Sequence, residues 1–100
     1  MTIVWSPQAE ADRLAIFRHT ASESVFAADA LDVMFEEGAE LLADDPDAGA
    51  PGAVPGTGEL ALHPSYTMIF VRARGEVRIL ALVDVRRQWP PHGGVRGQGE

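Results

Sequence analysis

The chain has 100 residues, 46% of them apolar, no cysteine and a formal net charge of -7. That length and composition fit one small domain, and the missing cysteines exclude disulfides and thiolate metal sites. Residues 1–50 hold eleven acids against two arginines, residues 51–100 hold four against six, and there is no lysine. The broad basic face that nucleic-acid binders use for phosphate neutralisation is thus excluded, and the acidic half opposes approach to RNA.

Thr2-Ile-Val-Trp5 is β-branched and aromatic and predicts a strand. Ser6 and Pro7 predict a helix start, with Ser6 as N-cap and Pro7 in the first turn, where its missing N–H costs nothing. Glu10 and Asp12 complement the dipole at that end. Ala11, Leu14 and Phe17 recur at a spacing of three and predict the apolar stripe of a helix over 7–20. Ala21-Ser-Glu-Ser24 is a break that caps a second helix over 26–43. There, Ala27, Leu31, Met34, Gly38 and Leu41 form one stripe, with Ala28, Phe35, Ala39 and Leu42 beside it. Asp29, Asp32, Glu36, Glu37 and Glu40 take the remaining, solvated surface. So short a connection predicts an antiparallel helical hairpin.

Residues 44–57 contain Pro46, Gly49, Pro51, Gly52, Pro55 and Gly56. That excludes a helix or central strand and reads as a crossover to a sheet. It lacks both the spacing and the lysine of a P-loop. Strands are predicted over 59–63, 67–73 and 76–86, joined by the turn His63-Pro-Ser-Tyr66 and by a tight hairpin at Arg74-Gly75. The near-continuous apolar run from Val77 to Val85 marks a central strand. Residues 91–100 carry no apolar pattern and are expected to form a flexible tail after a single domain over 1–90. The order β-α-α-β-β-β predicts an α+β fold, with the helical hairpin on one face of a mostly antiparallel sheet and the other face partly open to a partner. No apolar run is long enough to span a membrane, and no signal peptide is visible, so the expected compartment is the cytoplasm.

A set of short pieces runs in order along the chain: Ile3-Val-Trp-Ser-Pro-Gln-Ala9, Ala11-Asp12, Ile16-Phe17, Leu42, Pro46, Gly49, Pro51-Gly52, Pro55-Gly-Thr57, Glu59-Leu60, His63-Pro-Ser-Tyr66, Ile79-Leu80 and Arg86-Arg-Gln-Trp-Pro90. Together they resemble the RelE/ParE superfamily of toxins from type II toxin–antitoxin modules, and the ParE-like branch more closely. The resemblance implies a toxin neutralised by a small antitoxin in a hetero-oligomer. A ParE-like member would inhibit DNA gyrase by protein contact, and a RelE-like member would cleave mRNA on the ribosome. It implies no cofactor.

The resemblance also implies cationic or imidazole side chains at three positions that here hold Gly58, Ala81 and Asp84. A ribonuclease needs a base, an acid and cations on the phosphate, and each lost electrostatic donor costs about 2.7–4 kcal/mol in the transition state. An enzyme is therefore disfavoured. The weak catalytic candidates that remain are His63, Tyr66, Asp84 and Arg86. For His63 and Tyr66 the preferred reading is structural, with the histidine ending a strand and the tyrosine ring in the core. No His/Asp/Glu cluster has metal-ligand spacing. The candidates for contact with an antitoxin or target are Arg72, Arg74, Arg78, Arg86, Arg87 and Trp89. Alternation suggests Arg72, Arg74 and Arg78 on one side of the sheet. A solvated arginine face, or Trp89 as a lid over the sheet, is the competing reading. A degenerate, non-toxic relative that still binds an antitoxin is the further alternative.

Overall fold

The computed structural model describes residues 1–86. Strand β1 (Thr2–Trp5) leads into helices α1 (Pro7–Ala21) and α2 (Val25–Asp44). Strands β2 (Ala50–Pro51), β3 (Gly58–His63), β4 (Tyr66–Ala73) and β5 (Glu76–Asp84) follow. They form one sheet in the order β1-β5-β4-β3-β2. Only β1 against β5 is parallel, with Thr2 opposite Glu76 and Trp5 opposite Ile79. The expected α+β architecture is therefore present. The apolar strand β5 is an interior strand between β1 and β4, and β4 is the middle strand of the five.

The caps work as their residues suggest. The Ser6 hydroxyl accepts from the Ala9 N–H at 3.0 Å, and the Ser24 hydroxyl accepts from the Ala27 N–H at 3.1 Å. Ser6 also donates to the Leu80 carbonyl at 3.0 Å, which fastens the start of α1 to β5.

The predicted helix stripes are partly wrong. Ala11 is exposed and Leu14 is half exposed, whereas Ala9 is fully buried and Ile16 packs against the core. On α2 the buried side chains are Ala28, Leu31, Phe35, Ala39 and Leu42, while Ala27 and Leu41 point outward. The reason is chemical as well as geometric. The inner side of α1 recruits Asp12, whose carboxylate accepts from the Leu82 N–H at 3.0 Å. Past Ile79, β5 has no β1 partner, so its outward N–H groups need another acceptor. Arg13 makes a paired contact with Asp32 at 2.7 and 2.9 Å, reaches Glu36 at 3.3 Å, and lies 4.7 Å above the Trp5 ring. It ties both helices to β1. Its pKa is raised, chiefly by the hydrogen bond to Asp32.

The core between hairpin and sheet is built on Phe35, Leu42, Met68, Phe70, Val77 and Ile79. Ile69 and Ala81, which alternate to the opposite face of the sheet, are buried as well. Two details differ from the sequence reading. The crossover contributes the two-residue edge strand β2, where Pro51 is tolerated because it lies at the sheet margin. Strand β5 ends at Asp84, and Val85 and Arg86 form a turn. The expected domain end at residue 90 and the tail over 91–100 lie outside the described residues.

Candidate functional site

His63, Tyr66, Asp84 and Arg86 meet at one end of the sheet. His63 pairs with Tyr66 across the β3–β4 turn, and Tyr66 pairs with Asp84 across β4 and β5. The His63 and Tyr66 rings lie 5.8 Å apart at 36°. Tyr66 also meets Phe35 edge-on at 5.9 Å, which anchors its ring in the core. The Asp84 carboxylate accepts from the Arg86 guanidinium at 2.6 and 3.0 Å and from the Arg86 N–H at 2.9 Å. That hydrogen bond, followed by the carboxylate's charge, raises the Arg86 pKa.

The chemistry of this cluster is limited by what each group already does. His63 Nδ1 accepts from the Ser65 N–H at 3.0 Å. That backbone hydrogen bond engages the ring nitrogen facing Ser65, so use of that nitrogen as a base would first require the bond to break. The Arg86 charge is matched by the two-pronged Asp84 contact, which a phosphate would have to displace. The other two positions where the superfamily resemblance implies a cation are interior. Ala81 is 4% exposed. Gly58 is buried, and a Cβ there would fall 2.8 and 2.9 Å from Cε2 and Cε1 of Phe70, so a side chain at this position requires the Phe70 ring to shift. Among the described residues, no group of three or more His, Asp or Glu could hold a metal.

The arginines do not form one patch. Arg72 lies opposite Val77 on the helix face of the sheet, while Arg78 lies opposite Val71 on the other face, so the expectation of a shared side is corrected. The Arg72 guanidinium donates to the carbonyls of Leu42 at 3.1 and 3.3 Å, Asp45 at 2.9 Å and Ala48 at 3.1 Å. It also sits 4.9 Å over the Phe70 ring. Helix α2 has no basic residue in its last turn, so Arg72 supplies from the sheet the cation that this C-terminus lacks. Phe70 in turn is pressed against Gly58 and Gly49, and these contacts bind the glycine-rich crossover to the sheet. The surrounding surface is an open depression rather than a deep pocket; Pro46, Gly49, Thr57, Gly58, Phe70 and Arg72 are among the residues around it.

Arg74 occupies the tip of the β4–β5 hairpin at φ 56, followed by Gly75 at φ 78. Positive φ at both central positions matches the right-handed twist of the flanking strands. Arg78 is exposed and pairs with Glu76 at 3.0 Å. Arg86 lies in the turn beyond the far end of β5, a strand whose nine residues span roughly 26 Å at about 3.3 Å per residue. Arg87 and Trp89 lie outside the described residues.

Sequence reasoning missed two things that matter here. Strict alternation through Met68 and Phe70 was available and places Arg72 on the core side. Asp12 carried no such signal, because its acceptor role follows from where β1 stops beside β5.

Residues 3–89 match the family model described as "ParE toxin of type II toxin-antitoxin system, parDE". The chain belongs to the ParE toxin family. A solved structure titled "Chromosomal ParDE TA system from P. aeruginosa" aligns with a TM-score of 0.75 and 26% identity, covering 84% of this chain and 95% of that one. No protein among the curated sequences matches. This ParE-family chain therefore has the fold and the family that its ordered motifs implied, and it is a type II toxin by family. Among its described residues, no helix is long and apolar enough to cross a membrane.

Proposed function

We propose that this ParE-family toxin acts in the cytoplasm by protein–protein contact, with DNA gyrase as its target, and that a cognate antitoxin neutralises it in a hetero-oligomer. The observation that carries contact over RNA cleavage is the state of the β3–β5 end. There the His63 ring nitrogen facing Ser65 is engaged by the Ser65 N–H, and the Arg86 cation is matched by Asp84. The structure titled as a ParDE system supports an antitoxin partner for this chain. Arg74, Arg78 and Arg86 are the exposed arginines proposed to make contacts, with Arg87 and Trp89 beside them in sequence. Arg72 is assigned to holding α2 in place.

The test is growth after induced expression in a bacterial host, with and without the small reading frame that adjoins the gene. Arrest relieved by the neighbour, with ribosome-bound mRNA left intact, is expected. Cleaved mRNA would overturn contact as the mechanism. Normal growth with soluble, folded protein would favour a non-toxic antitoxin-binding relative.

A further inference from the structure

The outward side of α2 carries large apolar side chains that the fold does not use. Phe26 is 85% exposed, Val25 61%, Val33 53% and Leu41 46%. Isolated exposed apolar residues are ordinary, and Val25 at the start of the helix is one, but Phe26, Val33 and Leu41 are aligned. At 3.6 residues per turn, Phe26, Ala30, Val33, Glu37 and Leu41 fall within an arc of about 80°. The stripe runs for roughly 22 Å along the helix at 1.5 Å per residue. The core-facing side of the same helix holds Leu31, Phe35 and Leu42, so folding already has its apolar face.

One flank of the stripe is acidic. Asp29, Glu36 and Glu40 line it, Glu37 lies within it and Asp44 ends it. Arg13 engages Asp32 and reaches Glu36. Among the described residues, no arginine pairs with Asp29, Glu37, Glu40 or Asp44. An aromatic-led apolar ridge beside unneutralised carboxylates is complementary to one kind of surface: an amphipathic helix with apolar residues at i, i+3 or i+4 and i+7, and with lysine or arginine along one border.

We propose that this face of α2 docks a basic amphipathic helix carried by a protein partner. Phe26 is its anchor, Val33 and Leu41 extend the apolar seam, and Asp29 and Glu40 set charge and register. A second copy of the chain is disfavoured by the same charges. Residues 1–50 hold eleven acids against two arginines, and self-pairing would bring two such surfaces together. The assignment does not depend on which protein the toxin attacks.

The full chain would be titrated with a synthetic amidated helix of about 16 leucine, lysine and alanine residues, long enough to follow the stripe. Its counterpart would have glutamate in place of every lysine. Calorimetry at low and high salt reads the affinity. The basic peptide should bind, more weakly at high salt, and the double variant Phe26→Ser with Val33→Ser should lose about tenfold or more, as truncated anchors do. The variant Asp29→Lys with Glu40→Lys should shift the preference to the acidic peptide. These side chains are exposed, so melting curves should match the parent. Affinity unchanged in the Phe26→Ser with Val33→Ser variant would mean adsorption anywhere on an acidic protein and would overturn the proposal. So would no binding of the basic peptide, or a wild-type dimer in sedimentation that Phe26→Ser splits, since the occupant would then be a second copy.

Discussion

Replacing Arg72 by alanine decides whether this side chain holds the fold together or waits for a partner. In the structure its guanidinium binds three carbonyls around the end of α2 and covers the Phe70 ring. Hydrogen bonds from a charged donor are worth about 1.5–3 kcal/mol when net effects are measured. A cation at a helix C-terminus adds about 0.3–1 kcal/mol, and a cation over an aromatic face about 0.5–1 kcal/mol. One side chain makes all these contacts, so they do not simply add, and a total loss of about 2–4 kcal/mol is expected. At 4–8 °C per kcal/mol for a domain of this size, the melting temperature should fall by roughly 8–32 °C. Arg72→Lys keeps the charge but not the fork that reaches three acceptors, and should fall between the two. Urea unfolding and thermal melts of the purified variants provide the numbers. An Arg72→Ala protein as stable as its parent but weaker in binding the antitoxin would refute the structural role.

Other outcomes follow from the same contacts. Gly58→Ala pushes a Cβ into the Phe70 ring and should cost about 1–3 kcal/mol, as overpacked sites do; unchanged urea unfolding would show that the ring moves away freely. Asp12→Ala leaves the Leu82 N–H without its acceptor and should cost about 1–3 kcal/mol; faster amide exchange at Leu82 would localise the effect. Arg74→Asn places Asn-Gly at a turn with positive φ in both central positions and should stabilise the hairpin by about 0.5–1 kcal/mol. If Arg74 makes the proposed contact, antitoxin affinity should fall in that same variant, a combination that loss of folding could not produce. Charge reversal at Arg86 and Arg87 should weaken the complex in calorimetry by more than the small loss of stability expected from breaking the Arg86–Asp84 pair. Unchanged affinity would remove both from the interface.

The elements with local signals were legible in the sequence. Ser6-Pro7, Ser24 and Arg74-Gly75 name their own caps and turn, because each works through atoms within a few residues. Which side of each helix is buried was less legible. Leu14, Leu41 and Phe26 are as apolar as the residues that reach the core, and composition alone does not orient a helix whose outer face is also partly apolar. The spacing of the candidate residues along the strands was legible, but what their side chains do was not. The sheet does bring His63, Tyr66, Asp84 and Arg86 to one end. The hydrogen bond that occupies the His63 ring nitrogen depends on the backbone of Ser65 and could not be read from residue types. The arginine set failed as a single patch because Arg72 alternates inward and because β5 separates Arg74 from Arg86. At position 58 the Phe70 ring lies where a side chain would start, so any larger residue there must displace it.

Disabling of gyrase by contact is the activity proposed for this ParE-family toxin. Its most direct test is a supercoiling assay with purified gyrase, relaxed plasmid and purified toxin, repeated after the toxin has been mixed with the neighbouring gene product. Supercoiling should be lost with toxin alone and return with the antitoxin present. Full supercoiling at saturating, folded toxin would contradict it.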